Sequence, residues 1–365
     1  MFTVTMLPAS QGDCLWVEYG SQEKPHRVLI DCGTSPTYRR HLKPKLASLR
    51  SPPYVDLLIV THIDTDHIGG VLKLLDKPPD RMQIGQVWFN AWRHVAHDSL
   101  DIMGPVDGEI LSSQLDKLGW KWNTSFRSTD RSARLPRPGR RLPSYQLPGG
   151  MKLTVVSPAI EQLRALRDNW KAVVTDGGLA PGIPSRRLID KARQKGVRLD
   201  LMGGDPIREW ADSHTDDLDV TPANGSSIAV VAEYNDKGVT KRCLLAGDAH
   251  APVLAQGIRR LAGQLGQARL QLDAFKLPHH GSRRNITREL VEAVDCRRYL
   301  FSTNGVSHKH PHREAVARVL IYGTPERTLH FNYRTKFNED WDDPELRKGY
   351  DYAAEYGDGT LMVKL

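Results

Sequence analysis

Residues 61–70 read THIDTDHIGG and place two histidines and two carboxylates within the six positions 62–67. The preceding residues 55–60 are apolar except for Asp56, which predicts a buried strand that ends at this turn. Imidazole nitrogens and carboxylate oxygens are ligands of zinc, manganese and iron, and side chains that leave one turn can converge on one ion. Gly69 and Gly70 let the backbone turn tightly after them. A lone histidine with one aspartate would indicate a capped loop, whereas four such side chains at this spacing indicate a metal site.

Further short motifs stand before and after this turn. They are QGDC at 11–14, LIDCG at 29–33, NGSS at 224–227, LLAGD at 244–248, KLPHHGS at 276–282 and HP at 310–311. Together with the turn they resemble the His-x-His-x-Asp-His signature and the accompanying motifs of the metallo-β-lactamase superfamily. Asp64 stands where most members have the second histidine, which is typical of the branch that contains the hydrolase domain of the DNA-uptake protein ComEC and its stand-alone relatives. The resemblance extends over residues 1–90 and 220–335, and residues 91–219 do not share it.

The spacing of apolar residues predicts alternating strands and helices. Strands are predicted at 2–7, 15–19, 27–30, 55–60, 84–90, 151–156, 228–234, 242–246, 272–277, 298–303 and 350–365. Helices are predicted at 68–75, 251–265 and 312–321. The fold class is therefore α/β, with layered strands and outer helices in an αββα sandwich, and the resemblance implies the same metallo-β-lactamase fold. We expect one domain over residues 1–365, in which 91–219 is an insertion that serves as a lid, a substrate platform or structural padding.

Composition bounds the class of protein and its location. The apolar fraction of 39% allows a sizeable core, and the mean hydropathy of −0.46 argues against a membrane protein. We find no run of eighteen apolar residues, and residues 1–7 have the pattern of a strand rather than of a signal peptide. The four cysteines are widely spaced, which favours free thiols in a reducing cytoplasm. We therefore predict a cytoplasmic enzyme without a membrane partner.

Excess positive charge favours a polyanionic partner. Lysine and arginine number 51 against 43 aspartates and glutamates, which gives a net charge of +8. Arginine is concentrated in one stretch opposed only by Asp130, at Arg127, Arg131, Arg134, Arg137, Arg140 and Arg141. A second pair, Arg283 and Arg284, directly follows the histidine motif at 279–282. The first stretch is either a nucleic-acid contact or a solvated loop, and the second lies beside the predicted site.

The resemblance implies ligands for two divalent metal ions: His62 and Asp64 for the first ion, Asp66, His67 and His280 for the second, and Asp248 as the bridge between them. His279 is either the ligand instead of His280 or a donor in the outer shell. We favour His280, because a small residue commonly follows this ligand in the superfamily. Asp31 resembles the family's structural aspartate, which forms hydrogen bonds around the site without touching the metal.

The first metal site departs from the usual pattern. Most relatives supply a further histidine upstream of the bridging aspartate, and counting 24 residues back from Asp248 reaches Asn224. Asn224 either ligates the ion through its amide oxygen or caps a turn. His214 is the alternative donor, although it lies in an acidic segment. An oxygen-rich first site shifts the metal preference from zinc towards manganese or magnesium.

The residues near the histidine motifs are candidates for handling substrate. His310 precedes Pro311 as in the relatives, and its imidazole would orient a phosphate or protonate a leaving group. Ser302, Thr303 and Asn304 would line the same cleft. Ser282, Arg283 and Arg284 are further candidates for substrate contact, and phosphates would enter over the loop that carries the two arginines. Two metal ions lower the pKa of a bridging water and stabilise the charge that develops at phosphorus or carbon.

Three functions are compatible with these residues. The first is a metal-dependent nuclease or phosphodiesterase acting on DNA or RNA, as the ComEC resemblance implies. The second is a small-molecule hydrolase for a phosphodiester, a lactone or a β-lactam. The third is a binding module without catalysis, which the complete ligand set disfavours. Partner proteins of a defence or DNA-processing system are consistent with the first function, and the oligomeric state is left open.

Overall fold

Two packed β-sheets form the centre of the molecule. The computed structural model describes residues 1–50, 52–95, 106–176 and 205–365. In spatial order the first sheet contains β18 (Leu361–Lys364), β1 (Phe2–Met6), β2 (Leu15–Gly20), β3 (Pro25–Ile30), β5 (Leu57–Ile59) and β7 (Val87–Trp88). The second sheet contains β17 (Tyr352–Tyr356), β16 (Arg327–Phe331), β15 (Arg298–Phe301), β13 (Ala274–Lys276), β11 (Val239–Leu245), β10 (Ala229–Asp236), β9 (Lys152–Ser157) and β8 (Ser144–Gln146). Two short pairs stand apart: β4 (Tyr54–Val55) with β6 (Gln83–Ile84), and β12 (Leu270–Leu272) with β14 (Val294–Cys296).

Helices cover the outer faces of both sheets. They are α1 (Ser35–Thr37), α2 (Lys43–Ala47), α3 (Thr65–Asp76), α4 (Trp92–Val95), α5 (Val106–Leu118), α6 (Ile160–Asp176), α7 (Pro206–Asp212), α8 (Pro222–Gly225), α9 (Ala251–Gln264), α10 (Arg288–Glu292), α11 (Arg313–Tyr322) and α12 (Pro344–Gly349). A π-helical turn spans Tyr38–Leu42, and 3₁₀ turns span Pro148–Gly150, Pro278–Gly281 and Glu339–Asp342. None of the helices in the described ranges has the length and apolar character needed to cross a membrane.

The alternation of side chains along each strand produces the layers. In β5, Leu57 and Ile59 join the core between the two sheets, whereas Leu58 packs beneath the helices. β3 repeats this, with Ile30 facing the second sheet and Leu29 facing the helices. Because both faces are covered there, β5 and the second half of β3 are continuously apolar. The layers are helix, sheet, sheet and helix, and the predicted αββα fold class is confirmed.

The predicted motifs lie where strands end. Residues 61–67 follow β5, Asp248 follows β11, and 279–280 follow β13. β11, β13 and β15 are parallel neighbours, so their carboxyl ends meet at one edge of the second sheet. Loops at that edge of a parallel sheet are the usual place for a site in α/β proteins.

The C-terminal segment 350–365 differs from the single strand predicted for it. It forms two strands, β17 beside β16 and β18 beside β1, which belong to different sheets. The chain crosses between the sheets at Gly357 and Gly359. A Cβ atom on Gly357 would lie 2.4 Å from the carbonyl oxygen of Thr360, and Gly359 has a φ of +115°. These two glycines permit a turn that other residues would obstruct.

The segment 91–219 is partly built into the sandwich. β8 and β9 lie inside this range, and β9 pairs with β10 in the second sheet. Residues 96–105 and 177–204 of the range lie outside the described residues. A single domain over residues 1–365 with an insertion at 91–219 stays a prediction, and β9 and β8 lie at the edge of the second sheet.

Candidate metal centre

The 61–67 turn is held against its neighbours by two glycines. Asp64 precedes α3, and Asp66 lies in its first turn. A Cβ atom on Gly12 would lie 1.8 Å from the carbonyl oxygen of Asp66, and one on Gly70 would lie 2.1 Å from the carbonyl oxygen of Cys32. Glycine at these positions therefore allows three chain segments to meet below the site.

Asp31 organises the turn from beneath. It is fully buried, and its carboxylate accepts hydrogen bonds from the backbone N–H of Thr61 at 2.8 Å and from the Thr61 hydroxyl at 2.6 Å. It also accepts the Nδ1 proton of His67 at 2.8 Å. The carboxylate thus orients a histidine whose other nitrogen faces the site, and a supporting role of Asp31 without metal contact stays a prediction.

Four imidazole rings surround one carboxylate oxygen. The Nε2 atoms of His62, His67, His279 and His280 lie 3.9, 3.4, 3.8 and 3.7 Å from Oδ2 of Asp248. The Nε2 atoms of His67 and His280 are 3.3 Å apart. Asp248 is 3% exposed, so these groups meet away from bulk water.

The Nδ1 atom of each ring makes a contact outside this cluster. His280 donates to the carbonyl oxygen of Ser302 at 2.9 Å. His62 donates to the Thr61 hydroxyl oxygen at 3.0 Å, because that hydroxyl gives its own proton to Asp31. With its proton on Nδ1, a neutral imidazole presents a lone pair at Nε2. We assign these tautomers from the acceptors that surround each ring.

The two adjacent histidines of the 3₁₀ turn both face inward because of an unusual backbone. His279, His280 and Gly281 have φ values of +47°, +56° and +85°, three successive residues in the left-handed region. That region costs a residue with a Cβ atom about 1–2 kcal/mol, and such strain is concentrated at functional sites. Adjacent rings therefore reach the same carboxylate, with their centroids 6.0 Å apart.

A buried ion pair lies behind His280. Lys276 and Asp13 are fully buried and form a short contact between the Lys276 ammonium and the Asp13 carboxylate. The other oxygen of Asp13 is 3.4 Å from Nδ1 of His280. Burial opposes ionisation of Asp13, but Lys276 and His280 outweigh it and hold the pKa of this carboxyl well below its ordinary value. The Asp13 carboxylate therefore stays ionised beside the site.

Asn224 is hydrogen-bonded to the buried carboxylate of Asp219. It lies in α8 and donates its Nδ2 proton to Asp219 at 2.7 Å. Its Oδ1 atom is buried and has no hydrogen-bond partner among the described residues. The alternative donor His214 has a half-exposed side chain with Nδ1 3.5 Å from Glu314.

His310 lies at the edge of the histidine cluster. Its ring is 5.3 Å from that of His279 and 4.6 Å from that of His312. His310 is 5% exposed and makes no hydrogen bond with a described residue. Burial, together with the neighbouring histidines, holds its pKa well below the ordinary value. A neutral imidazole with free nitrogens is thus available beside the cluster.

Arg283 and Arg284 are engaged within the protein. Both guanidinium groups contact Asp217, at 3.1 and 3.0 Å, and Arg284 also donates to the carbonyl oxygen of Leu218. Ser282 accepts a hydrogen bond from the backbone N–H of Arg284 at 3.3 Å. Substrate contacts by these three residues stay predictions, and phosphate would have to compete with Asp217 for the arginines.

The six arginines at 127–141 have two kinds of surroundings in the structure. Arg134 is paired with Asp130 at 3.0 Å. The other five side chains are exposed and form no ion pair with a described residue: Arg127, Arg131, Arg137, Arg140 and Arg141. Arg260 of α9 holds the backbone of this stretch through the carbonyl oxygens of Pro136, Arg137 and Arg140. Arg127 also lines a cavity of about 540 Å³ with Phe126 and Tyr145.

Comparison with known proteins agrees with this architecture. Residues 7–139, which contain Asp31 and the 61–67 turn, match the family model described as the metallo-beta-lactamase superfamily. The fold is that of the metallo-β-lactamase superfamily. No curated protein sequence matches the chain. The narrower resemblance to the ComEC branch stays a prediction.

Three solved structures show distant similarity to this chain. The short form of human tRNase Z has 11% identity and a TM-score of 0.39, with 100% of this chain and 99% of that one covered. YhfI from Bacillus subtilis has 9% identity and a TM-score of 0.36, with 99% of both chains covered. A long-form RNase Z from yeast has 8% identity and a TM-score of 0.35, with 97% of this chain and 44% of that one covered. Similarities this low do not transfer a substrate.

The residues present fit the divalent metals that this fold binds. Asp66, His67 and His280 place one ligand atom each within 4.8 Å of one another, and so do His62, His67 and Asp248. Nε2 of His62 and Oδ1 of Asp248 are buried without a hydrogen-bond partner among the described residues. Lone pairs that converge without donors repel one another unless cations lie between them.

In the metal-free protein, protons take the place of those cations. Burial lowers the pKa of His67, but Asp248 and Asp31 outweigh it and raise that pKa well above its ordinary value. Burial also opposes charge on His279, yet Asp248 and Asp219 raise its pKa to about 9. Metal binding would displace these protons, as it does in sites built from histidine and carboxylate.

Several residues of the site were not predicted from the sequence. Asp219 and Asn285 bond to His279 and have no local motif that marks them. Lys276 has a recognisable sequence signal, because a lysine between the apolar residues Phe275 and Leu277 of a predicted strand needs a buried partner. Its partner Asp13 belongs to the QGDC motif.

Proposed function

We propose that this protein is a hydrolase that uses two divalent metal ions to cleave phosphodiesters, with DNA or RNA as substrate. The observation that supports it best is the convergence of four Nε2 atoms on the Asp248 carboxylate. His62 and Asp64, with 3.6 Å between Nε2 and Oδ2, would contribute to one ion. Asp66, His67 and His280 would hold the other ion, and Asp248 would be shared.

Metal ions in this site would activate water and stabilise the charge that develops at phosphorus. The chain's own residues orient the ligands and bind the substrate. Asp31 and the Ser302 carbonyl keep His67 and His280 in the orientation that turns Nε2 inward. His310 is held uncharged, so its ring N–H would donate a hydrogen bond to a phosphate oxygen, and its other ring nitrogen would accept a proton.

Thiol chemistry is disfavoured by the surroundings of the nearby cysteines. Cys14 and Cys32 are fully buried, and burial together with neighbouring acids raises the pKa of the Cys14 thiol far above its ordinary value. A thiol in that state is a poor nucleophile. All four cysteines are free, which supports a reducing compartment and hence the cytoplasm as the proposed location.

The exposed arginines support a polyanionic substrate. Five of the six arginines between 127 and 141 are exposed without an ion-pair partner among the described residues, and the net charge of the chain is +8. Positive charge without partners attracts phosphates over a range set by the salt concentration. Zinc and manganese are the proposed ions, with magnesium as a further candidate.

A substrate screen on metal-reconstituted protein tests this proposal. Chelator-stripped protein would receive Mn²⁺, Mg²⁺ or Zn²⁺ and be assayed on single- and double-stranded DNA, on RNA and on bis(p-nitrophenyl) phosphate. We expect metal-dependent cleavage of at least one nucleic acid and of the small diester, with both activities abolished in Asp66→Asn. Cleavage of the small diester alone would favour the small-molecule hydrolase instead. Failure to cleave any phosphodiester would refute the proposal.

A further inference from the structure

We propose that His279 supplies the first-site nitrogen for which most relatives use a histidine at the position of Asn224, and that Asp219 positions its ring. This inference rests on the metal centre of the proposed function. It assigns the two adjacent histidines to different ions, His279 to the first and His280 to the second. Asn224 then acts through Asp219 and does not contact metal.

The hydrogen bonds of His279 determine which of its nitrogens faces the site. Nδ1 lies 2.8 Å from Oδ1 of Asn285 and 3.3 Å from Oδ2 of Asp219. Asn285 donates through Nδ2 to the carbonyl oxygens of Asp248 and Ala249, so its Oδ1 is the oxygen and accepts. Two acceptors at Nδ1 require a proton there. In the neutral ring the lone pair is therefore on Nε2, which lies 3.8 Å from Oδ2 of Asp248 and would be free for a metal ion once its proton is displaced.

Asp219 is a buried carboxylate that several hydrogen bonds hold in position beside His279. Its side chain is 1% exposed. It accepts hydrogen bonds from the backbone N–H of Thr221 at 2.9 Å, from Nδ2 of Asn224 at 2.7 Å and from Nδ2 of Asn285 at 3.0 Å. Burial opposes its charge, but these donors and His279 hold the pKa of Asp219 well below its ordinary value. A carboxylate on the far nitrogen of a histidine is the usual support of a metal ligand.

The same arrangement occurs on the other side of the site. Asp31 contacts Nδ1 of His67, just as Asp219 contacts Nδ1 of His279. Asp31 and Asp219 come from opposite sheets, since Asp31 follows β3 and Asp219 precedes β10. Each carboxylate holds one histidine whose Nε2 points to Asp248. This pairing gives each half of the centre its own oriented histidine.

Left-handed backbone at His279 and His280 is what divides the two rings. His280 lies with Asp66 and His67 in the cluster whose ligand atoms are within 4.8 Å of one another. The His279 ring is instead 75° from the plane of the His280 ring. A regular strand or helix would place one of two adjacent side chains away from the site. The strained turn lets one dipeptide serve two ions.

Asn224 is the rival donor, because its Oδ1 atom is buried without a described partner. Its Nδ2 is committed to Asp219 and lies 3.4 Å from Nδ1 of His279, a contact between two nitrogens that both carry hydrogen. The two assignments predict different losses. Removing a ligand should eliminate one ion, whereas removing a support should weaken an ion without eliminating it.

Metal titration of variants separates the two assignments. Chelator-stripped protein would be titrated with Mn²⁺ and with Zn²⁺ by calorimetry, and the visible spectrum of Co²⁺-loaded protein would report nitrogen donors. His279→Asn is the main variant, because asparagine tolerates a left-handed backbone and is too short to replace the imidazole. His308→Asn is the matched control, since His308 is an exposed histidine near the same cluster. Far-UV circular dichroism and thermal unfolding of the metal-free proteins would establish that each variant folds.

The expected pattern is specific. Wild type and His308→Asn bind two ions, and His279→Asn binds one, with a changed Co²⁺ spectrum. Asp219→Asn and Asn224→Ala keep two ions, with the affinity of one of them weakened roughly 10- to 100-fold for Asp219→Asn. Two ions at wild-type affinity in His279→Asn would overturn the inference while leaving the proposed function intact. Loss of an ion in Asn224→Ala but not in His279→Asn would assign the ligand to Asn224. Absence of metal binding by wild type would refute the proposed function itself.

Discussion

The buried pair of Lys276 and Asp13 shows how single residues maintain the metal centre. Neither side chain is exposed, and Asp13 lies 3.4 Å from the ring of His280. Taking two charges out of water is costly, and their attraction offsets that cost only while both are present. The pair therefore couples the stability of the sandwich to the position of a metal-binding histidine.

Lys276→Met should destabilise the metal-free protein by about 3–5 kcal/mol, because it leaves the Asp13 carboxylate buried without its partner. Urea unfolding monitored by circular dichroism in the presence of chelator measures this change in stability. The double variant Lys276→Met with Asp13→Asn removes both charges and should recover part of the stability. Equal stability of Lys276→Met and wild type would show that the ion pair is dispensable.

Only some residues of the metal centre could be recognised from the sequence. His62, Asp64, Asp66 and His67 were recognisable because they occupy one short turn. In the structure the rings of His62 and His67 lie 3.9 and 3.4 Å from Asp248, Asp64 lies 3.6 Å from His62, and Asp66 is grouped with His67 and His280. Asp219 was not recognisable, because it lies 60 residues before His279 in the sequence and only folding brings the two side chains together. Neighbouring histidines could not be distinguished from the sequence, since their separation depends on left-handed backbone angles that no residue pattern predicts.

At the scale of elements, glycines determine how closely α9 packs on β9. A Cβ atom on Gly257 would lie 2.0 Å from the carbonyl oxygen of Val156. Gly263 occupies the same helix, but a Cβ atom there would have no neighbour within 4 Å among the described residues. The two positions have equal helix propensity and differ in packing, which makes them a matched pair.

Gly263→Ala should stabilise the protein by about 0.5–1 kcal/mol, since alanine is the better helix former. Gly257→Ala should destabilise it by about 1–3 kcal/mol, because the helix must shift away from β9. Denaturant midpoints of the two variants and wild type, at constant slope, provide the comparison. An equal gain in both variants would contradict the close approach of helix and strand.

Element boundaries were predicted well where apolar periodicity was continuous and poorly where glycines interrupt it. β1, β2 and β3 lie within about one or two residues of their predicted ranges, the usual uncertainty of strand and helix ends. The predicted strand 84–90 is instead divided between β6 and β7, because Gly85 lies against the backbone of Asp56. Sheet membership of the two C-terminal strands was also beyond prediction, since both have the same alternation and pair with distant partners.

At the scale of the whole molecule, charge is distributed unevenly between engaged and free arginines. Arg283 and Arg284, the predicted phosphate contacts, are balanced by Asp217. Arg127 and Arg131 are exposed and free of ion pairs within the described part of the chain. A polyanion would therefore gain more binding free energy from Arg127 and Arg131 than from Arg283 and Arg284.

Neutralising Arg127 and Arg131 together to glutamine should weaken DNA or RNA binding and lower the salt dependence by about one unit of slope for each phosphate that is no longer bound. Turnover of bis(p-nitrophenyl) phosphate should be unchanged, because the metal ligands are intact. Lys237→Gln with Lys364→Gln is the control, since it removes the same charge from two exposed lysines near Asp236, at the start of β11 and away from the carboxyl ends of the strands that carry the metal centre. Equal slopes in the two double variants would assign the effect to net charge alone.

The carboxylate of Asp248, surrounded by four imidazoles, is expected to organise a centre for two metal ions. Elemental analysis of wild type and Asp248→Asn after reconstitution and gel filtration is the decisive measurement, with unfolding of the stripped proteins as the fold control. We expect two ions per chain for wild type and loss of metal from a folded Asp248→Asn protein. Full metal content in Asp248→Asn, or none in wild type, would show that Asp248 does not organise such a centre.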